Sequence, residues 1–353
     1  MKSSTISTLD DDSKYDEIID VRTPAEYALD HIPGAVNFPV LSNEDRVIVG
    51  TKYKQESSFE AKKLGATLIA RNIANHIETE FSKRPKNWRP LIYCWRGGKR
   101  SGAMGHILRQ IGWDAHVLEG GYKTYRSHVL QSLQELPKQF QFRVISGRTG
   151  SAKSRVLENL VLLGCQVLHL EELANHKGSV LGASLDSEQP SQKYFETLIN
   201  SSLKKFNPNQ VVFIEAESKK VGSLQVPDTL MECIRSSPCI RIDASVKARV
   251  AFLEEDYRYL IEQPTFLLQK LQHLKALVGQ EQLNVWYELI AKRDWPGLIR
   301  SLLELHYDRL YDRSQLRNFD NYEKAPSIQS DDLSKAGIQN IASQIQRMMD
   351  QSK

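Results

Sequence analysis

Tyr93-Cys94-Trp95-Arg96-Gly97-Gly98-Lys99-Arg100-Ser101-Gly102 is the stretch that decides how this chain reads. Leu91, Ile92 and Tyr93 form a short apolar run that predicts a buried strand ending at Cys94. Beyond Ser101, residues Ala103, Met104, Ile107, Leu108 and Ile111 recur at helical spacing. Cys94 therefore sits on a strand-to-helix loop, where free backbone N–H groups and the helix dipole can hold an anion. Arg96, Lys99 and Arg100 add positive charge, which favours thiolate over thiol. A lone cysteine is more often a packing residue, but two glycines and three cations in the next six positions argue against that here. Cys94 reads as a nucleophile facing an anionic substrate, with Trp95, Arg96, Gly97, Gly98, Lys99, Arg100 and Ser101 as its anion loop.

Working outward, the 33 residues from Phe81 to Trp113 carry eight Lys/Arg and no acid. Such a run is often only a solvated face. Because it brackets Cys94 in sequence, it also suggests a polyanion-binding surface, with Lys83, Arg84, Lys86 and Arg89 as candidates. The whole chain of 353 residues has a net charge of only +4, with 41% hydrophobic and 25% charged residues, the profile of a soluble two-domain protein. Cys94, Cys165, Cys233 and Cys239 form no CxxC pair, which excludes a zinc or disulfide framework. The polar, acidic start through Lys14 reads as a frayed segment rather than a signal peptide, and no apolar run reaches membrane-spanning length. A reducing cytoplasm is the expected compartment.

Upstream, Ile18 to Arg22 predicts a strand, and Thr23-Pro24-Ala25-Glu26 carries helix-start chemistry, with a Thr cap, an early Pro and Glu three residues on. His31 to Asn37 predicts a turn into another strand. Asp20-Val21-Arg22-Thr23-Pro24-Ala25-Glu26-Tyr27 followed by His31-Ile32-Pro33-Gly34-Ala35 resembles the opening signature of a rhodanese domain, and Cys94 falls where that family carries its sulfur-bearing cysteine. The resemblance implies that Asp20 and Arg22 brace the fold as a buried ion pair. One spacing departs from the common rhodanese loop: Cys94 and Arg100 are related as Cys-x5-Arg, which encloses a larger oxyanion and also occurs in phosphatases with a cysteine nucleophile. The loop alone leaves sulfur, selenium and phosphoryl transfer open.

Ser127 to Gln141 is polar and helical, with Pro137 as a break. Phe142 to Ser146 then predicts a strand running into Gly147-Arg148-Thr149-Gly150-Ser151-Ala152-Lys153-Ser154, with Val156, Leu157, Leu160 and Val161 at helical spacing beyond. Strand, glycine-rich loop and helix in that order make a Walker A phosphate cradle, in which Gly147, Thr149, Gly150, Ser151, Lys153 and Ser154 would hold a diphosphate and Ser154 could ligate Mg²⁺. Ala152 replaces the expected glycine and puts a Cβ where the backbone approaches the anion. Val211 to Ser218 resembles a Walker B strand; Glu215 or Glu217 could hold Mg²⁺ or orient a loop. His169 stands at a strand end where an acid is expected. From Val246 onward the leucine-rich stripes read as helices packing a core.

The insert Gly50 to Ala66, the Cys94 to Gly98 loop, and the segments Asn175 to Ser179, Gln189 to Lys193 and Glu215 to Gly222 resemble the family of tRNA 2-selenouridine synthases. The expected architecture is α/β: a rhodanese-like domain over 1–130, a linker over 131–141, a P-loop-like α/β domain over 142–245 and a helical C-terminal extension over 246–353. The resemblance implies a tRNA partner with 2-thiouridine in its anticodon loop, geranylation of that sulfur from geranyl diphosphate, and its replacement by selenium from selenophosphate through a Cys94 selenenylsulfide. No tightly bound cofactor is expected. A plain sulfurtransferase with a nucleotide-binding domain is the alternative. Oligomeric state, the residues lining a geranyl pocket and the general base stay open.

Overall fold

The computed structural model describes residues 6–7, 14–179, 181–182, 188–319 and 322–350, so most of the polar start read as frayed lies outside the described residues. The chain forms two units, one of residues 1–132 and 191–201, the other of residues 133–190 and 202–353.

The first unit is built on β1 (Ile6–Ser7), β2 (Glu17–Asp20), β3 (Val36–Asn37), β4 (Pro90–Tyr93) and β5 (His116–Leu118). They form one parallel sheet in the order β1-β5-β4-β2-β3. Ile6–Ser7, inside the segment read as frayed, is thus an edge strand beside β5. Helices α1 (Pro24–Leu29), α2 (Asn43–Gln55), α3 (Ser58–Thr79), α4 (Lys99–Ile111) and α5 (Gly121–Glu135) connect them. The Thr23–Glu26 capping box forms as its residue types dictate. Beneath β4, Ile19, Val21, Ile73, Phe81, Trp88, Ile92, Met104 and Leu108 make the core. In a parallel sheet every strand ends at the same edge. Asp20, Asn37 and Tyr93 stand in register there, so the loops after β2, β3, β4 and β5 gather around Cys94.

Residues 191–201, which lie within the 142–245 span, group with this first unit. His31 stacks between Tyr27 and Tyr194, at centroid distances of 3.9 and 4.3 Å, and Arg126 pairs with Glu196.

The second unit has β6 (Phe142–Ser146), β7 (Gln166–Leu168), β8 (Val212–Glu215), the hairpin β9 (Lys220–Val221) and β10 (Leu224–Gln225), then β11 (Cys239–Asp243) and β12 (Ser327–Gln329). Its main sheet is parallel in the order β12-β11-β6-β8-β7, with the cradle strand β6 at the centre. Helices α6 (Lys153–Leu162), α7 (Leu170–Leu173) and α9 (Asp228–Ser236) belong to it, while α8 (Gln192–Lys205) begins in the first unit. A helical group follows: α10 (Val246–Asp256), α11 (Arg258–Ile261), α12 (Pro264–Gln272), α13 (Lys275–Ala291), α14 (Trp295–Leu302), a π-helical turn over Leu303–Tyr307 and α15 (Asp308–Asn318). Its own core centres on Leu267, Leu271, Leu283, Trp286 and Leu298. The run read as helical from Val246 to the end does not stay so. β12 rejoins the sheet beside β11, and α16 (Lys335–Asp350) packs Ile338, Ile341 and Ile345 into the same core as α6. Only Ile328 of β12 is buried, too short a pattern to announce a strand in the sequence.

Candidate functional site

The first centre grows from β4. Its four residues are fully buried, and Cys94 follows at the sheet edge with 4% of its surface exposed. The next residues turn back sharply to start α4. Gly97 makes that turn with φ +62°, and a Cβ there would come within 2.5 Å of the Leu118 carbonyl oxygen. The start of α5 holds the loop from behind, where the N–H groups of Tyr122 and Lys123 donate to the carbonyls of Cys94 and Trp95 at 2.9 Å. The Gly98 N–H then donates to Cys94 Sγ at 3.3 Å and the buried Ser101 hydroxyl donates at 3.2 Å. Burial alone would raise the thiol's pKa. Donation from the Ser101 hydroxyl and N–H and the Arg96 N–H, with the charge of Arg100, outweighs it, so Cys94 lies below the ordinary cysteine value. The geometry favours thiolate over thiol.

The charges of this loop are not equivalent. Arg100 forms a two-pronged pair with Glu26, at 2.7 and 3.2 Å, so its orientation is set by the same Glu that closes the α1 capping box. Arg96 and Lys99 are exposed and make no ion pair among the described residues. An open cavity of about 400 Å³ lies over Cys94, walled by Trp95, Arg96, Gly98, Lys99, Arg100 and Arg46 of α2. Below it, Asp20 and Arg22 pair at 2.6 Å with 0% and 1% exposure. Arg22 also stacks 4.0 Å from the centre of the Tyr122 ring, which in turn supports Trp95. Asp20 and Arg22 are thus a buried brace under the loop.

The second centre grows from β6. Gly150 takes φ +82°, and a Cβ there would come within 2.7 Å of Leu253. Ala152, in the place of the expected glycine, takes φ +58° and is 4% exposed. It packs in the core with Val156 and Ile240, so the chain accepts a left-handed alanine at a cost of about 1 kcal/mol. The loop is clamped by the helical group. The buried Arg249 donates to the Thr149 carbonyl at 3.0 Å while forming a two-pronged pair with Asp308, at 2.8 and 2.7 Å. Gly147 N–H donates to the Tyr311 hydroxyl at 2.8 Å, and Arg148 pairs with Asp312. Lys153 Nζ donates to the Gly147 carbonyl at 2.7 Å. Burial draws Lys153 below its ordinary pKa against the pull of Glu171, Glu217 and Glu215.

Glu215 and Glu217 prove to be different. Glu215 is fully buried, accepts from the N–H groups of Leu170 and Glu171 at 3.1 and 3.2 Å, and pairs with His169 Nδ1 at 2.6 Å. It orients the loop after β7. His169, where an acid was expected, is its counter-ion. Glu217 instead lines the cavity beside Glu171. Burial first, then the charges of Glu171 and Glu215, raise its carboxyl well above the usual range, against the pull of Lys153. Ser154 Oγ donates to Glu171 Oε2 at 2.6 Å. Among the described residues no three His, Cys, Asp or Glu side chains come together to hold a metal ion.

Over the cradle lies a cavity of about 600 Å³, lined by residues 149–155, by Glu171, Lys177 and Glu217, and by Tyr257, Tyr307 and Tyr311. A second, apolar recess of about 60 Å³ shares Thr149, Ser179, Leu253, Tyr257 and Tyr307 with it and ends among Leu267, Trp295, Leu298 and Leu302. The glycine-rich loop with Lys153 at one end thus leads to a hydrocarbon-lined slot at the other. A family model for the tRNA 2-selenouridine synthase AAA domain matches residues 139–330, and one for the rhodanese-like domain matches residues 4–128.

The chain belongs to the tRNA 2-selenouridine synthase family. A tRNA 2-selenouridine synthase of Nitrosomonas europaea is 36% identical over 68% of this chain and 63% of its own length. That of Marinobacter nauticus is 34% identical over 84% of this chain and 87% of its own length, and that of Alcanivorax borkumensis 32% identical over 84% and 88%. The match with the Nitrosomonas europaea relative therefore spans less than two thirds of that protein.

Within this synthase-family fold the basic block of the sequence divides. Arg89 directly precedes β4 and Cys94 directly follows it, so the strand holds them roughly 16 Å apart, at opposite sheet edges. Arg84 pairs with Glu17 and Arg89 with Asp114, while Lys83 and Lys86 are exposed and unpaired among the described residues. Adjacency to Cys94 in sequence is not adjacency in space. Conversely, the sequence reading passed over Glu26 as a partner of Arg100, Arg46 at the cavity wall, the Arg249–Asp308 clamp and Lys177, which pairs with Asp256 at 2.6 Å. Only Glu26 had a local signal, as an N3 residue with a second carboxylate oxygen to offer. Among the described residues no helix is long and apolar enough to cross a membrane.

Proposed function

We propose that this chain replaces the 2-thio sulfur of a tRNA wobble uridine with selenium, in two stages divided between its two units. The observation that carries the first stage is the phosphate cradle opening into an apolar recess, the shape of an isoprenoid diphosphate. In that stage the uridine sulfur attacks C1 of geranyl diphosphate, the C–O bond breaks, diphosphate leaves and the N3 proton is lost. Lys153 and the N–H groups of the cradle stabilise the leaving diphosphate. At about 60 Å³ the recess is well below the roughly 150 Å³ that admits a benzene ring, so it takes the end of the chain while the cleft holds the rest. If Mg²⁺ accompanies the diphosphate, Ser154 and Glu171 are the oxygens beside Lys153 that could meet it.

In the second stage selenophosphate adds selenium to C2 and the geranyl thiolate leaves. Selenium in selenophosphate is at the selenide level. A selenenylsulfide on Cys94 would therefore need a two-electron oxidant or release phosphite. Attack of the Cys94 thiolate on phosphorus is electron-neutral: the Se–P bond breaks, selenium stays on the uridine, and water hydrolyses the S–P bond to phosphate. Electron balance favours this use of Cys94 over a selenium carrier, and the Cys-x5-Arg loop, with donors aimed at Sγ, suits the thiolate nucleophile it needs.

Nucleoside mass spectrometry tests the division. With geranyl diphosphate and selenophosphate, Cys94→Ala is expected to stop after geranylation, whereas Lys153→Ala loses geranylation by about a hundredfold or more. Phosphorus NMR of the spent mixture should show phosphate; phosphite would restore the selenenylsulfide route. Turnover of thiosulfate with 2-thiouridine left untouched would replace the whole reading with a plain sulfurtransferase.

A further inference from the structure

We infer that Arg46, on helix α2, binds the oxygens of the phosphoryl group presented to Cys94 and so completes an oxyanion site that the Cys94 loop leaves unfinished. This rests on the reading that Cys94 meets a phosphorylated species. A dianion over a thiolate needs several cations free to turn toward it. Of the loop's own three, Arg100 is already engaged by Glu26 through both terminal nitrogens. Arg96 and Lys99 remain. Arg46 is the other cation on the wall of the same cavity, is exposed, and makes no ion pair or side-chain hydrogen bond among the described residues.

Its position follows from the sheet. β3 ends at the same edge as β4, and the chain reaches α2 after five intervening residues, so the first turns of α2 stand beside the Cys94 loop. Ser42 and Asp45 fix that start through a capping box. The guanidinium lies back along its own helix over Gly50, where a Cβ would stand 3.2 Å from Arg46 Nη1. The side chain thus lies along α2 while still lining the cavity over Cys94.

Alkylation of Cys94 in the intact chain, followed by peptide mass spectrometry, tests this without selenium or tRNA. Inorganic phosphate should protect wild-type Cys94 from iodoacetamide, and Arg46→Ala should raise the half-protecting phosphate concentration about tenfold. Arg46→Lys should recover part of that, and Lys54→Ala, exposed further along α2, should match wild type. Without phosphate, Arg46→Ala should change the neutral iodoacetamide rate less than about twofold yet reduce the preference for anionic iodoacetate. Equal protection of wild type and Arg46→Ala would overturn the role of Arg46. A large change in the neutral rate and its pH profile would do the same, because Arg46 would then act on the thiolate. No protection of wild type at any phosphate concentration would instead sink the phosphoryl reading of the Cys94 loop itself.

Discussion

His169 and Glu215 show how one buried pair couples charge to fold. Burial by itself would lower the imidazole, but its contact with Glu215, helped by the charges of Glu172 and Glu171, carries it from an ordinary value of 6.5 up to about 9. A group raised in the folded state stabilises it fully below its unfolded pKa and ceases to do so as pH rises through the folded one. Stability of the second unit should therefore hold up to about pH 6.5 and fall toward pH 9, by an amount on the order of 3 kcal/mol. Urea unfolding followed by tryptophan fluorescence at both ends of that range measures the slope, and His169→Gln should flatten it. A slope unchanged in that variant would remove His169 as its source. The same logic, reversed in sign of charge, acts at Cys94, where donors to sulfur overcome burial and lower the thiol's pKa.

Among the elements, the two loops that bear chemistry are each held by structure far from them in sequence. The Cys94 loop is backed by the start of α5, and the cradle loop is clamped by α10 and α15. Arg249 is the clamp's centre, with 1% exposure and both terminal nitrogens on Asp308. Removing that carboxylate leaves a buried guanidinium without its counter-charge, which costs about 3–5 kcal/mol. Asp308→Ala should lower unfolding stability by that order and, on the proposed reading of the cradle, weaken diphosphate binding, because Arg249 is no longer anchored under the Thr149 carbonyl. Calorimetry of the full chain and titration with inorganic diphosphate read the two effects. Full stability in this variant would mean that Asp308 only decorates a helix end. The π-helical turn over Leu303–Tyr307 lies directly before Asp308 and sends Tyr307 into the wall shared by the cavity and the recess.

At the scale of the whole molecule, each centre is drawn from one unit: residues between 20 and 122 make the first, and residues between 147 and 315 outside 191–201 make the second. If the proposed two-stage reaction holds, mixing Cys94→Ala with Lys153→Ala should restore 2-selenouridine formation that neither variant achieves alone, through geranylated tRNA released by one and used by the other. Failure of the mixture while both variants stay folded would mean that one chain must carry a tRNA through both stages.

What the sequence by itself determined is what short-range chemistry governs. A strand ending in cysteine, a turn of glycines and a run of cations entering a helix predict the Cys94 loop, and Gly147 to Ser154 between a strand and a helix predicts the Walker A-like turn. Capping residues and apolar periods set the elements that carry them. The tertiary structure decided which groups serve those loops. It tied Arg100 to Glu26, brought Arg46 across from α2, placed Arg89 at the other end of β4 from Cys94, and returned β12 beside β11. It also built the apolar recess, whose walls come from residues more than a hundred apart. The reason is range: propensity and spacing act over a few residues, whereas ion pairs, strand register and cavities join positions that only the packed chain brings together.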